Sequence, residues 1–367
     1  MKVVLSGVNI VSGGMLSVYK DCIRALLSYC DDVRIFALVH DVALFLEFTD
    51  VRLSFFAYSK AKRSWLFRCY YEYVYFAGLA KRWKPDIWIS MHDTTPLVRV
   101  PRQFVYCHNA APFYKMAWRE MTRDITFTLF VLFYKYLYRI GIHRNTAIIV
   151  QQNWMREAFQ HMYGLSNVIV ARPQGGSYVP AWGPQNSMGK RLFFYPVTAH
   201  TYKNVEVLCE AAKRIPQDHA WEIVLTMDGT EGSYAKDIVR KYGKIDGLRF
   251  IGRQSREAVF ALYGECEALL FPSRLESWGM PLSEFMGTGK AIFASDLPYA
   301  HEVLDGYGKV KFLDPVQPDA WSKALTAFMR GTLSFDALPR QHIPEPYAKD
   351  WAELFSMILQ GEKRASM

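Results

Sequence analysis

The sequence predicts an α/β protein of two domains, each a parallel sheet flanked by helices. Three observations lead there. The chain has 367 residues, about two domains' worth at roughly 100 to 200 residues each. Short β-branched or aromatic runs alternate with segments of helical period, as they do where parallel strands are joined through helices. That alternation breaks between Arg172 and Lys190, where RPQGGSYVPAWGPQNSMGK is rich in Gly, Pro, Ser and Gln and carries no apolar period, which marks a linker.

In the first half the expected strands are Val3 to Ser6, Val33 to Val39, Val51 to Phe56, Asp86 to Ser90, Gln103 to Cys107, Ala147 to Gln151 and Val168 to Val170. Met15, Val18, Tyr19, Cys22, Ile23, Leu26 and Leu27 recur at helical spacing between the first two. After the linker, strands are expected near Leu192 to Tyr195, Glu222 to Thr226, Leu248 to Ile251, Ala268 to Phe271 and Ala291 to Ala294. Residues 332 to 345 lose the period, and Trp351, Leu354, Phe355, Ile358 and Leu359 then form one helical stripe. The expected divisions are 1–175, 185–345 and a last helical segment, 346–367.

Composition narrows the class. Hydrophobic residues make up 51% and charged residues 22%, so extensive disorder is excluded. The net charge of +9 favours an anionic partner: nucleic acid, an acidic membrane face or a phosphorylated small molecule. Six scattered cysteines without a C-x-x-C pair suit a reducing, cytoplasmic setting. MKVVLSGV reads as a first strand rather than a secretory signal. Ile125 to Ile142, interrupted by Lys135 and Arg139, falls short of the roughly 20 clean residues of a spanning helix. No D-x-D, H-x-x-x-H or H-E-x-x-H occurs, so neither metal nor cofactor is expected. The absence of a G-x-S-x-G elbow speaks against a hydrolase.

The most informative stretch is FPSRLESWGMPLSEFMGTGKAIFAS, residues 271 to 295. A strand ends, a polar loop follows, and Pro281 stands where a helix would begin. The amides of Gly279, Met280 and Leu282 are placed to meet an anion at the helix start. Glu276 precedes the turn and Glu284 lies inside the helix, so the two acids can grip opposite ends of one ligand. Carboxylates accept hydrogen bonds from paired hydroxyls, which sugar rings and riboses both offer. Gly13 and Gly14 follow the first strand, where they either make a tight turn or let backbone approach a ligand. Lys203, in Tyr202-Lys203-Asn204, follows the first strand of the second domain, and His108 lies just past a strand of the first, where open parallel sheets bind ligands. His92 is a weaker competitor from the neighbouring strand end.

The 271–295 stretch resembles the E-x7-E signature of retaining glycosyltransferases with the two-Rossmann-domain GT-B fold, family 4 in particular. Phe-Pro-Ser, Gly279, Pro281, Gly287 or Gly289, and the strand after Lys290 take part in the match. The resemblance implies two Rossmann-like domains facing across a cleft, with acceptor on the first, nucleotide-sugar on the second and a last helix that crosses back to the first. Catalytic roles would fall to His108, Glu276 and Lys203. Glu276 would hold the donor sugar's hydroxyls, Glu284 the ribose, Lys203 and the Gly13–Gly14 pair the diphosphate, and His108 would lie near the sugar. Where the family often has an arginine about five residues before the lysine, this chain has Thr198; Arg274 or Arg253 could substitute in donor binding. The implied reaction moves a hexose from a nucleotide diphosphate sugar to a glycan or lipid-linked glycan in bacterial surface polysaccharide assembly (O-antigen, capsule or exopolysaccharide). Anomeric configuration would be retained, without a metal. A GT-B sugar-nucleotide epimerase and a catalytically silent binding protein at the membrane surface are the rivals.

Residues 60 to 84 hold seven basic side chains against Glu72, interleaved with aromatics. As one helix, Leu66, Cys69, Tyr70, Tyr73, Ala77 and Ala80 make one stripe and Phe67, Tyr71 and Tyr75 a second. An exposed aromatic stripe edged with Lys and Arg suits an anionic membrane surface, and Ile125 to Ile142 offers a similar one. No nucleic-acid signature is present. The expected location is therefore cytoplasmic, at the inner face of the cytoplasmic membrane.

Overall fold

Apolar runs without alternation suit strands covered on both faces, and such runs build two all-parallel sheets. A computed structural model describes residues 1–116, 118–173, 189–216, 218–336 and 340–359. The chain divides into two compact units, one of Met1–Pro112, Phe133–Gly176 and Ile343–Met367, the other of Phe113–Leu132 and Ser177–His342. Residues 113–132 thus group with the C-terminal unit although they precede the expected boundary. The expected linker lies largely outside the described residues.

The strands of the first unit are β1 (Lys2–Gly7), β2 (Arg34–Val39), β3 (Leu53–Ala57), β4 (Ile87–Ser90), β5 (Arg102–Cys107), β6 (Ala147–Val150) and β7 (Val168–Ala171). The second unit has β8 (Arg191–Tyr195), β9 (Trp221–Leu225), β10 (Leu248–Phe250), β11 (Ala268–Phe271), β12 (Ala291–Ser295) and β13 (Val310–Leu313), and β14 (Tyr347–Ala348) returns to the first sheet beside β7. Sequence reading anticipates all but β13 and β14. Both are short, and β14, two residues long, exists as a strand only through its pairing with β7.

Val3 and Leu5 point into one core and Val4 into another, the period of two placing successive side chains on opposite faces. The first core receives the helix Gly13–Tyr29 through Val18, Tyr19, Cys22, Ile23 and Leu26, and the helix Trp351–Leu359 through Trp351, Leu354, Phe355 and Ile358. Phe76, Leu79 and Ala80 fill the opposite face.

The second sheet runs β10-β9-β8-β11-β12-β13. Counted within the unit this is 3-2-1-4-5-6, the order of dinucleotide-binding sheets. The first sheet follows the same scheme, β3-β2-β1-β4-β5-β6, extended by β7 and β14. In such sheets ligands bind beyond the carboxyl ends of the strands where the order reverses. Those points lie between β1 and β4 in one unit and between β8 and β11 in the other.

Residues 60–84 depart from the expected single helix. They form Lys60–Arg63, Trp65–Tyr70, a wide turn over Tyr71–Tyr75 and Phe76–Trp83. The inward face carries Arg68, Glu72 and Phe76, while Leu66 and Tyr70 of the first expected stripe are exposed. The wide turn shifts the helical register, and a polar network accounts for the buried charge. Arg68 Nε donates to Glu72 at 2.8 Å, Arg68 Nη2 to the His92 carbonyl at 2.8 Å, and Thr94 Oγ1 to Glu72.

Among the described residues, one helical stretch, Ile125–Arg144, has the length and composition to cross a membrane despite Lys135 and Arg139, with mean hydropathy 1.3 over its best window. A third of that window is buried in the protein. Tyr134 and Tyr138 on its inner side hydrogen-bond Asp93.

Candidate functional site

At the reversal point of the second sheet, two loops are stitched together. The first follows β8 and carries Tyr202-Lys203-Asn204; the second follows β11 and carries Ser273 to Gly279. Asn204, buried and in the left-handed region (φ 56°), donates through Nδ2 to the carbonyls of Pro272 (3.0 Å) and Pro315 (2.8 Å). Tyr195 Oη donates to the Lys203 carbonyl at 2.9 Å, Tyr299 Oη to that of Ser273 at 2.7 Å, and the Arg274 amide to that of Tyr202 at 2.7 Å. Backbone is thus fixed on both sides of the gap before any ligand binds.

Lys203 Nζ meets Glu276 Oε1 at 2.5 Å, with both side chains largely buried. Burial pulls the Lys203 ammonium downward, but the Glu276 carboxylate, with Tyr202, holds it above its ordinary value. The lysine is therefore a firm cation. The two residues lie 73 positions apart in sequence and meet because β8 and β11 are neighbours.

Glu284, within the helix Met280–Met286, has different partners: Arg256 Nη2 at 3.3 Å and Tyr263 Oη at 3.3 Å. Burial raises its carboxyl above the ordinary range, opposed by Arg256 and Tyr263. The two acids are thus held by different elements, Glu276 on a loop beside a lysine and Glu284 on a helix beside an arginine and a phenol.

The helix start corrects one expectation. Gly279 adopts φ 85°, a conformation that favours glycine, and a Cβ there would lie 3.3 Å from Leu282 Cδ1. The Leu282 amide is not free, because it donates to the Gly279 carbonyl at 2.9 Å. The tight turn that admits Pro281 at the helix start uses this amide as its own closure, and the Met280 carbonyl accepts from Ser283 Oγ.

Arg274 and Arg253 part company. Arg274 Nη2 donates to the Thr201 carbonyl at 3.3 Å, beside Lys203. Arg253 is exposed beyond β10, with β9 intervening before β8, a lateral offset of about 10 Å by strand spacing.

In the first unit, Gly13 (φ 71°) and Gly14 open the helix after β1, both exposed, with nothing within 4 Å of a Cβ built on Gly13. His108 follows β5. Its amide donates to Asp93 Oδ1 at 2.6 Å and its Nε2 lies 3.1 Å from the Met91 carbonyl. Burial lowers its pKa, against Asp93 and the Met91 carbonyl. A carbonyl oxygen only accepts, so the contact with Met91 calls for a proton on Nε2. His92 is buried in the Arg68–Glu72 network with Nε2 3.1 Å from Ser6 Oγ, which makes it a structural residue. No group of three His, Cys, Asp or Glu side chains suited to a metal occurs among the described residues.

Sequence reading missed Asp93, Glu120, His200, Arg256 and Tyr263. None belongs to a motif; Asp93, Glu120, Arg256 and Tyr263 each meet a predicted site residue from a segment remote in sequence, and His200 stacks on Tyr202 and meets Asp124.

Two parallel sheets, the second in dinucleotide-binding order with a lysine and an acid paired at its reversal point, define a fold of the GT-B glycosyltransferase class. Residues 183–351 match the family model "Glycosyl transferases group 1". The O-antigen chain mannosyltransferase RfbU of Salmonella typhimurium is 21% identical over 266 residues, 70% of this chain and 69% of that protein. Among solved structures, the apo lipopolysaccharide outer core galactosyltransferase WaaB is similar with a TM-score of 0.63 at 19% identity, over 99% of this chain and 100% of that one. Anabaena Alr3699/HepE, in complex with UDP and glucose, has a TM-score of 0.61 at 14% identity, over 90% of each chain.

Proposed function

We propose that this protein is a retaining glycosyltransferase that moves a hexose from a nucleotide diphosphate sugar to a glycan or lipid-linked glycan acceptor in surface polysaccharide assembly, at the inner face of the cytoplasmic membrane. The observation that carries the reading is the buried Lys203–Glu276 pair at the reversal point of the second sheet. Lys203 supplies positive potential where the leaving diphosphate gathers charge, and Glu276 accepts from sugar hydroxyls. Glu284 accepts from the ribose. Diphosphate charge carried by side-chain cations requires no metal, and front-face attack assisted by the leaving phosphate requires no protein nucleophile. Gly13, Gly14 and His108 enter through the family resemblance.

The relatives support the substrate class: RfbU is an O-antigen chain mannosyltransferase and HepE binds UDP and glucose. The membrane location draws on exposed Trp65, Leu66, Phe67 and Tyr70 beside Lys60, Lys62 and Arg63.

The test is a donor screen with UDP-, GDP- and dTDP-sugars. One donor raises the unfolding temperature, by linkage, and transfers its sugar to a lipid-linked acceptor in EDTA with retained configuration. Glu276→Ala lowers turnover by about 100- to 1,000-fold, the effect of losing a transition-state contact, while the protein stays folded. Epimerised donor in the absence of acceptor, or donor binding without nucleotide release, would overturn the reading in favour of an epimerase or a silent binding protein.

A further inference from the structure

The second unit contains a counter-ion that sequence reading did not anticipate. Glu120 forms an ion pair with Arg274 Nη1 and accepts from Tyr114 Oη at 3.2 Å. It belongs to the segment 113–132, which lies against the loop bearing Lys203. Asp124 Oδ2 is 3.2 Å from His200 Nδ1, Arg123 reaches Glu206 at 3.5 Å, and the Phe127 and Tyr202 rings approach to 4.6 Å between centroids. Two carboxylates of one short segment therefore sit on two cationic or protonatable groups flanking Lys203.

Arg274 is held in place but not fully engaged. Its amide and Nη2 anchor it to the Tyr202 and Thr201 carbonyls. Its Nε is buried without a hydrogen-bond partner, as is Thr201 Oγ1 beside it. A desolvated donor left unpaired is costly, and an incoming oxygen ligand removes that cost. A guanidinium fork binds carboxylate and phosphate by the same geometry, so one anion can replace the other.

We propose that Arg274 is the second cation for the donor's diphosphate, in the role left open by Thr198, and that Glu120 occupies it until the diphosphate takes its place. The inference rests on the donor-site reading above and adds to it a built-in competitor. Binding becomes an exchange of anions on Arg274, and the segment 113–132 is released from that contact when the site fills.

The experiment measures the affinity of full-length protein for inorganic pyrophosphate and for UDP by calorimetry. Glu120→Gln removes the competing charge and keeps the shape; it should bind both probes about fivefold more tightly, the worth of a partly exposed ion pair. Arg274→Ala should bind both about tenfold more weakly or worse, and adding Glu120→Gln to it should change nothing further. Lys203→Ala separates the two levels. If it leaves affinity unchanged, the donor-site reading itself fails. If it weakens binding while Glu120→Gln binds no more tightly, the anion exchange alone is overturned. Hydrogen exchange on the unaltered protein is independent of any folding defect: pyrophosphate should accelerate exchange of amides at 118–124, and unchanged or slower exchange there overturns the proposal.

Discussion

Two residues show how burial alters the meaning of a side chain. Asp93 sits in the left-handed region (φ 74°), a strained choice for a residue with a Cβ. It is held there by accepting from the amides of His108 and Asn109 and the hydroxyls of Tyr134 and Tyr138. It thereby fixes the loop that carries His108. His92, by contrast, is silenced. Burial, together with Arg68 and against Glu72, takes its pKa from 6.5 to about 4. Between those values the unfolded chain binds a proton that the folded chain refuses, so stability is full above about pH 6.5 and declines toward pH 4. The decline amounts to about 3 kcal/mol. Urea midpoints measured across this range should fall in the unaltered protein and stay flatter in His92→Gln; equal slopes would show that another group is responsible.

At the scale of the element, the broken helix of residues 60–84 has the most to say. Its interior register is set by Arg68, Glu72 and Phe76, all buried. That leaves Trp65, Leu66, Phe67 and Tyr70 exposed, with Leu66 82% accessible. Lys60, Lys62, Arg63, Lys81, Arg82 and Lys84 are exposed on the same stretch of chain. Isolated exposed apolar residues are ordinary, whereas a cluster edged by cations marks an interaction surface. Trp65 touches Tyr134, which joins this surface to the helix exposing Phe133 and Tyr136 in the same unit. The double variant Leu66→Glu, Phe67→Glu should lose co-sedimentation with anionic phosphatidylglycerol vesicles while keeping its unfolding temperature. Undiminished sedimentation would remove this face from the membrane reading.

For the molecule as a whole, the first unit is assembled from three chain segments, and its last helix lies within the core. Phe355 is fully buried among the residues that also receive the helix Gly13–Tyr29, and its ring is 5.9 Å from that of Tyr29. Phe355→Ala should cost about 3–5 kcal/mol, read as lost hydrogen-exchange protection in β1 and β2. Retained protection would mean that the helix is dispensable to that core.

The strands and their parallel class could be read from the sequence because runs such as Val3 to Ser6 and Ala268 to Phe271 are apolar on both faces, and only double burial tolerates that. The two acids could be read because their spacing is local: eight residues spanning one loop and one helix start. Which charge meets which was decided by tertiary structure. Lys203 meets Glu276, and Glu120 meets Arg274, because the neighbouring of β8 and β11 and the return of residues 113–132 to the second unit bring together groups 73 and 154 positions apart. Periodicity records which face of an element is buried, but it holds no record of its neighbours. The face chosen by residues 60–84 was legible to neither period nor composition, since its buried charge is stable only where Arg68, Glu72, His92 and Thr94 satisfy one another.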